Sequence, residues 1–408
     1  MKTSAAALGI LALVSANLTS AEPTNLERLV RDAVSPEARV ASSARQGLRA
    51  MGPSGLAALV TLNEARVNVL REGKAFNAED LRLRAALDTV AGQRDAAFSG
   101  LYWYTSLEEA RAAAARDGRP ILSLRLLGKL DEELSCANSR FFRTALYANE
   151  SISRLLREGW VLHWESVRPA PRITIDFGDG RRIERTITGN SLHYVLASDG
   201  RVVDVLPGLY GPGAFLFELE EVGPLARRVS GLAPDRFRAA LRSHHEARLA
   251  EVTSVGEQSL DASSRRLMRS KLGPGTSDEA FKKMLTGFEA SLRDDTLHNE
   301  STFRRTLHEW LSKGDTPVLA ALTNRIYDEL FLTPRTDPFL GLVPPDTYAA
   351  IEGDGWTKTT GTTFVAASSA APLALSKMMV EGPAVRALKA RPTGSSAGAD
   401  APRAASRR

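Results

Sequence analysis

Residues 120–142 read PILSLRLLGKLDEELSCANSRFF and join an apolar strand, a loop and a helix start around the only cysteine of the chain. The run from Pro120 to Leu127 is short and rich in Leu and Ile between turn residues, which favours a strand. A polar loop from Gly128 to Ser135 follows it. Cys136 then precedes a second helical stretch, which we expect to extend from about Ala137 to Glu158.

On both sides of this stretch the sequence predicts further elements of one α/β unit. An alanine-rich helix ends at Asp117-Gly118 before the first strand, and WVLHW at Trp160–Trp164 predicts a second strand. Two hairpins follow around Gly178-Asp179-Gly180 and Ser198-Asp199-Gly200, and a helix begins at Gly211-Pro212. Helix, strand, helix, strand, hairpins and a closing helix together predict a central sheet with flanking helices.

Four phrases of this region resemble thioredoxin-like proteins. SLEEARAAAARDGRPILS resembles their first helix and core strand, and SCANSRFF resembles the start of their active-site helix. REGWVLHW resembles the next strand, and LHYVLASDGRVVDVLPGLY resembles the closing hairpin. The resemblance implies an α/β thioredoxin-like domain over residues 99–228, with a mixed sheet and flanking helices. This central domain would lie between mainly α-helical N- and C-terminal regions.

The same resemblance points to a site at Cys136. The family carries two cysteines separated by two residues at the start of the second helix, and Ser139 occupies the second position here. A thiol at a helix N-terminus lies at the positive end of the macrodipole, which favours the reactive thiolate. Because no resolving cysteine is present, a complete dithiol cycle is excluded. The implied activity is monothiol exchange, with Cys136 as nucleophile and Ser139 as hydrogen-bond donor to its thiolate.

Four more residues are expected to line this site and contact the substrate chain. Asn138 and Arg140 follow the cysteine, and Asn190 and Ser191 stand where the family has a cis-proline that faces it. The competing interpretation is a buried, structural Cys136, because free cysteine is among the most buried residue types. The protein would then be a non-catalytic thioredoxin-fold scaffold for protein–protein interaction in the cell envelope.

Neither a metal site nor a cofactor site is expected from the histidine spacing. His244 and His245 are adjacent and would point about 100° apart on a helix. His298 and His308 are nearly three helical turns apart. A zinc site needs three or four converging ligands, which these spacings do not supply. The expected partners are exported proteins or their thiols and disulfides, as the resemblance at Cys136 implies.

Composition and the N-terminus indicate the class and location of the protein. Of the 408 residues, 43% are hydrophobic and 25% are charged, which excludes a mainly disordered or polytopic membrane protein. Lys2, the apolar run Ala5–Val14 and the small residues Ala16 and Ala21 predict a signal peptide over residues 1–21. We expect a periplasmic or secreted protein with no stable membrane span after cleavage. An uncleaved anchor and a buried first helix are the alternatives.

Four segments complete the predicted organisation. Residues 22–98 form a cap of HEAT-like helices, and residues 229–331 form a second helical region. Residues 332–381 begin with aromatic side chains among prolines and predict an extended docking segment. Residues 382–408 predict a disordered tail, whose six basic residues and one acidic residue account for the whole formal net charge of +5. The remaining chain has balanced charge, so nucleic-acid binding is not expected.

Overall fold

The computed structural model describes residues 24–72, 77–186, 189–257, 295–296, 298–313 and 318–337. The predicted signal peptide, the docking segment beyond residue 337 and the basic tail lie outside the described residues. Within these ranges the protein is a mixed α/β fold with one four-stranded mixed sheet and many helices. None of the helices described is both long enough and apolar enough to cross a membrane.

The elements follow one another in three regions. The N-terminal helices are α1 Asn25–Ala33, α2 Ala38–Ala50, α3 Pro53–Thr61, α4 Glu64–Glu72, α5 Ala78–Ala91 and α6 Ala96–Ser99. The central elements are α7 Leu107–Asp117, β1 Ile121–Leu127, α8 Ala137–Phe141, α9 Glu150–Gly159, β2 Val161–Arg168, β3 Arg172–Asp176, β4 Arg182–Thr186, β5 Leu192–Leu196, β6 Val202–Pro207 and α10 Pro212–Val229. The C-terminal helices are α11 Pro234–Glu257, α12 Arg305–Ser312 and α13 Leu319–Arg325, with π-helical turns at Phe142–Leu146, Asn299–Arg304 and Ile326–Leu330.

The four-stranded sheet has the order β2-β1-β5-β6. Strand β1 pairs in parallel with β2 and antiparallel with β5, and β5 pairs antiparallel with β6. Every residue of β1, β5 and β6 is buried, which explains why their sequences are nearly continuous apolar runs. The predicted strands and second hairpin are confirmed. The first hairpin forms a separate two-stranded sheet, β3-β4.

The N-terminal helices enclose their own apolar cluster, which extends from Val30 to Ala97. Polar contacts join these helices to the sheet. The Trp164 indole N–H donates to the Gly92 carbonyl at 2.7 Å, and the Arg49 guanidinium donates to the Trp103 carbonyl at 3.1 Å. Both carbonyls belong to buried backbone, so the helices and the sheet stabilise each other.

The predicted continuous helix from Ala137 to Glu158 is wrong. Helix α8 continues through the π-helical turn to Leu146, and α9 begins separately at Glu150. The reason is a second N-cap, since the Asn149 side chain accepts a hydrogen bond from the backbone N–H of Ile152 at 3.3 Å.

Candidate functional site

Cys136 lies just beyond the end of β1, at the N-cap of α8. Its backbone N–H donates to the carbonyl of Leu127, the last residue of β1, at 3.1 Å. The residue is 0% exposed, and its side chain makes no capping hydrogen bond to the first turn of α8. The sulfur therefore has the sequence position expected of a reactive thiol but no access to water or to a partner's disulfide in this conformation.

Ser139 bonds to the backbone in this conformation. Its hydroxyl donates to the backbone carbonyl of Cys136 at 2.8 Å rather than to the sulfur. A serine three residues into a helix readily bonds back to the preceding turn, and this geometry turns its proton away from the thiol. In this conformation the hydroxyl bonds to the backbone, and a hydrogen bond from Ser139 to a thiolate stays a prediction.

The structure brings Asn138 and Ser191 together across the predicted site. The Asn138 amide donates to the Ser191 hydroxyl at 2.9 Å, and both residues are buried. Residues that were expected to face each other across a substrate-binding groove thus bond directly. No gap is left between them for an extended substrate backbone.

Arg140 and Asn190, the other two predicted site residues, are half-buried and also bond within the chain. The Arg140 guanidinium donates to the Thr186 hydroxyl at 2.9 Å, and that hydroxyl donates to the Ser135 carbonyl at 2.8 Å. The Asn190 amide donates to the Thr333 hydroxyl at 2.9 Å. These bonds fasten the end of β4 and the C-terminal segment around the cysteine.

Tyr147 and Tyr327 are the aromatic neighbours of Cys136 that the sequence did not indicate. Both are fully buried, and burial raises the pKa of each phenol well above its ordinary value, with a further increase from charge on Cys136. The Tyr327 hydroxyl donates to the Asn190 carbonyl at 3.1 Å. Tyr147 bonds to His193 at 2.6 Å, and burial lowers the pKa of His193 to about 3. Both phenols and the His193 ring are therefore neutral at physiological pH.

The beginning of the predicted docking segment lies against the sheet. The Arg168 guanidinium, at the end of β2, donates to the carbonyls of Pro334, Arg335 and Asp337 at 2.7–3.2 Å. Tyr327 and Thr333 bond to Asn190, so residues 326–337 are fastened beside the region of Cys136. We call residues 326–337 the C-terminal cover.

A second polar cluster, which we call the histidine cluster, consists of Asp204, His245 and His308. One donor atom from each residue lies within 4.8 Å of the other two, and all three residues are buried. The Nδ1 atoms of His245 and His308 are 2.9 Å apart. Burial lowers the pKa of His245 to about 4 and that of His308 well below its ordinary value. Both rings are therefore neutral at physiological pH.

Arg304 supplies the positive charge beside this cluster. It is fully buried and contacts the carboxylates of Asp204 at 3.2 Å and Glu218 at 2.9 Å. Burial alone would raise the pKa of Asp204, but the Arg304 guanidinium holds it well below the usual range. Asp204 is therefore an ionised carboxylate inside the protein.

The histidine cluster and Arg304 also supply hydrogen-bond partners to the backbone at the outer edge of β6, a strand that pairs only with β5 among the described strands. The Arg304 guanidinium donates to the Val205 carbonyl at 3.0 Å, and His245 Nε2 bonds to the Val203 carbonyl at 3.1 Å. The Val205 N–H donates to Asp204 at 2.7 Å. Buried backbone groups need such partners, so a structural role for these residues is established by their contacts.

The sequence carried one signal for this cluster. Asp204 interrupts the apolar strand VVDVLP, where an unpaired carboxylate would be costly. Its partners come from α11 and α12 and from the π-helical turn before α12, and no spacing within one helix reveals them.

No family model, curated protein or solved structure matches the chain. The two candidate sites, the closed surroundings of Cys136 and the histidine cluster, are therefore identified from the geometry of this chain only.

Proposed function

We propose that this is an exported, divergent thioredoxin-like protein that acts as a non-catalytic scaffold for binding other exported proteins. The observation that carries this proposal is the complete burial of Cys136 next to the C-terminal cover. A thiol–disulfide exchange protein needs an accessible thiolate. A scaffold needs only the fold, and a buried cysteine packs as a small apolar side chain.

The order of elements supports the thioredoxin-like part of the proposal. Two parallel strands, β1 and β2, are joined through helices, and an antiparallel hairpin, β5-β6, and a helix follow them. Cys136 stands at the N-cap of the helix after the first strand, and Ser191 lies opposite that helix. These are the relative positions that the sequence resemblance implies.

The β3-β4 hairpin is the surface best suited to hold a partner. Its two strands pair only with each other within the described chain, so each presents a free edge that can accept a strand of another protein. Ile175 and Phe177 are large apolar residues that are 38% and 51% exposed. The Arg181 guanidinium lies 5.4 Å from the centre of the Phe177 ring.

The role of the thiol is tested by comparing wild-type protein with Cys136→Ala in the cell envelope. Complexes are fixed with formaldehyde in one sample and resolved on non-reducing gels in another. We expect the same fixed complexes from both proteins and no adduct that depends on Cys136. An adduct that forms with wild type, disappears with reductant and is absent in Cys136→Ala would overturn the proposal in favour of monothiol exchange.

The position of the binding surface is tested by photo-crosslinking. A photoreactive amino acid replaces Phe177 in the hairpin or, as the matched control, Leu62 in the N-terminal helices, which is 50% exposed. We expect a specific adduct from position 177 only. An adduct from position 62 alone would place the partner on the helical region instead, and adducts from neither position would refute a stable scaffold role.

A further inference from the structure

We propose that Asp204, His245 and His308 bind a divalent transition-metal ion, with zinc as the best match to this donor set. The site is separate from the surroundings of Cys136 and does not depend on the proposed scaffold function. It takes one ligand from the edge strand β6 and one each from helices α11 and α12. A bound ion would therefore link both helices to the sheet.

The donor types and distances fit zinc. Imidazole nitrogen and carboxylate oxygen are common zinc ligands, with bonds of about 2.0–2.2 Å. In a tetrahedral site such bonds separate neighbouring donors by about 3.3 Å. The two Nδ1 atoms are 2.9 Å apart, and the donor atoms of all three residues lie within 4.8 Å of one another. Side-chain shifts of less than about 1 Å would bring the three donors to a common ion.

The tautomer of His245 is already that of a metal ligand. Its Nε2 lies 3.1 Å from the Val203 carbonyl, which can only accept, so Nε2 carries the proton. In the neutral ring Nδ1 then has a free lone pair directed at His308. A backbone carbonyl that fixes the far nitrogen in this way is the usual outer-shell partner of a metal-bound histidine.

His308 is buried beside His245 and faces it through its Nδ1 atom. Its ring is 0% exposed, and its Nε2 has no hydrogen-bond partner within the described residues. The polar interaction that the structure gives this ring is the Nδ1–Nδ1 contact with His245. Without a metal ion, one proton must lie between the two nitrogens. An ion that lies off the line between the two nitrogens, on the side of Asp204, can replace this proton and use both lone pairs at bond lengths of about 2.0–2.2 Å.

Arg304 opposes a cation at this position, but its charge is matched locally. The guanidinium contacts Asp204 and Glu218, and Glu300 lies 3.9 Å from its Nε. Arg248 also contacts Glu218, at 2.9 Å, so three carboxylates balance two guanidinium groups next to the site. Coordination of Asp204 leaves Arg304 with the Glu218 contact at 2.9 Å and its bond to the Val205 carbonyl.

The first experiment measures zinc in the mature chain purified from cells grown with added zinc, followed by removal with a chelator and titration of zinc back into the protein. We expect one zinc per chain and a Tm that rises when zinc is restored. His308→Ala should lose both effects. The matched control is His298→Ala, which removes an exposed histidine from the same part of the chain and should behave like wild type. Equal loading of all three proteins, or no loading of wild type, would overturn the proposal.

The second experiment uses wild-type protein alone, so its result does not depend on whether His308→Ala folds. X-ray absorption at the zinc edge of the loaded protein reports the ligand types directly. We expect a low-coordinate site with two imidazole nitrogens and oxygen. A spectrum with fewer than two imidazoles, or with sulfur from Cys136, would overturn the assignment.

Discussion

Replacing Tyr327 with alanine should make Cys136 much more reactive in the native protein. Tyr327 is fully buried in the C-terminal cover, and its hydroxyl holds the Asn190 carbonyl at 3.1 Å. Truncation of a buried aromatic side chain costs about 3–5 kcal/mol. Because each 1.4 kcal/mol changes an equilibrium constant about tenfold, the population with the cover open should rise about 100-fold or more.

The assay is the rate at which a maleimide labels Cys136 in native protein, followed by mass spectrometry. Leu87→Ala is the matched control, because Leu87 is also 0% exposed but lies in the N-terminal helices. Its truncation costs a similar amount, about 2–5 kcal/mol, without touching the cover. We expect fast labelling in Tyr327→Ala and nearly wild-type labelling in Leu87→Ala.

Two results would contradict local control of the thiol by the C-terminal cover. Equal labelling rates in wild type and Tyr327→Ala would mean that the cover does not control access to the thiol. Equal acceleration by both variants would mean that the thiol becomes exposed only when the whole fold opens. Circular dichroism of each variant checks that the labelled protein is folded.

Three further predictions concern stability and are checked by urea unfolding. Arg304→Met removes the cation from buried carboxylates and should lower the free energy of unfolding by about 3–5 kcal/mol. The control Arg305→Met changes a side chain that is 51% exposed and should alter the free energy of unfolding by less than about 0.5 kcal/mol. Equal losses in the two variants would contradict the buried ion network. In zinc-free protein between pH 6.5 and 4, the unfolded chain binds a proton that His245, with its pKa lowered by burial from 6.5 to about 4, does not. The contribution of neutral His245 to the free energy of unfolding is complete above pH 6.5 and falls by about 1.4 kcal/mol per pH unit as the pH is lowered. Free energies of unfolding that stay constant from pH 7.5 to 5 would count against a buried neutral ring. Gly92→Ala and Gly118→Ala both place a side chain at positive φ, which costs about 1–2 kcal/mol of unfolding free energy. Of these two positions, only a Cβ at position 92 meets a backbone atom, at 2.8 Å, so Gly92→Ala should lose at least about 1 kcal/mol more. Equal losses in the two variants would show that the helices and sheet are not tightly packed there.

The strands of the sheet were predictable from local sequence. Strand β1 is apolar at nearly every position because the sheet is covered on both sides, and turn residues mark its ends. The glycine turns of both hairpins adopt the left-handed φ that the sequence required, including Gly200 at 88°. The apolar pattern of the sequence predicts these strands correctly because a strand buried on both faces of the sheet needs apolar residues at nearly every position.

The state of the cysteine was not predictable in the same way. Its position at a helix N-cap follows from the neighbouring sequence, but its buried surroundings include Tyr327, which is 191 residues further along the chain. Spacing near Cys136 carries no information on that contact. The competing structural interpretation of Cys136 was available from residue type alone, and the geometry now favours it.

The histidine cluster was missed for a related reason. Spacing along a single helix shows which histidines can share one ion within that helix, and by this criterion His245 and His308 are unrelated. They meet because α11 and α12 pack against the edge of β6, where Asp204 lies. A buried carboxylate in an apolar strand was the only local sign that charged or polar partners must arrive from elsewhere.

We expect Cys136 to be a closed, structural thiol, and labelling of wild-type protein by iodoacetamide from pH 6 to 9 is the decisive experiment. Urea-unfolded protein provides the reference rate at each pH. Native protein should label far more slowly than unfolded protein at every pH and should reach the reference rate only on unfolding. Rapid, stoichiometric labelling of the native protein at pH 6 to 7 would contradict this expectation and would restore the monothiol function.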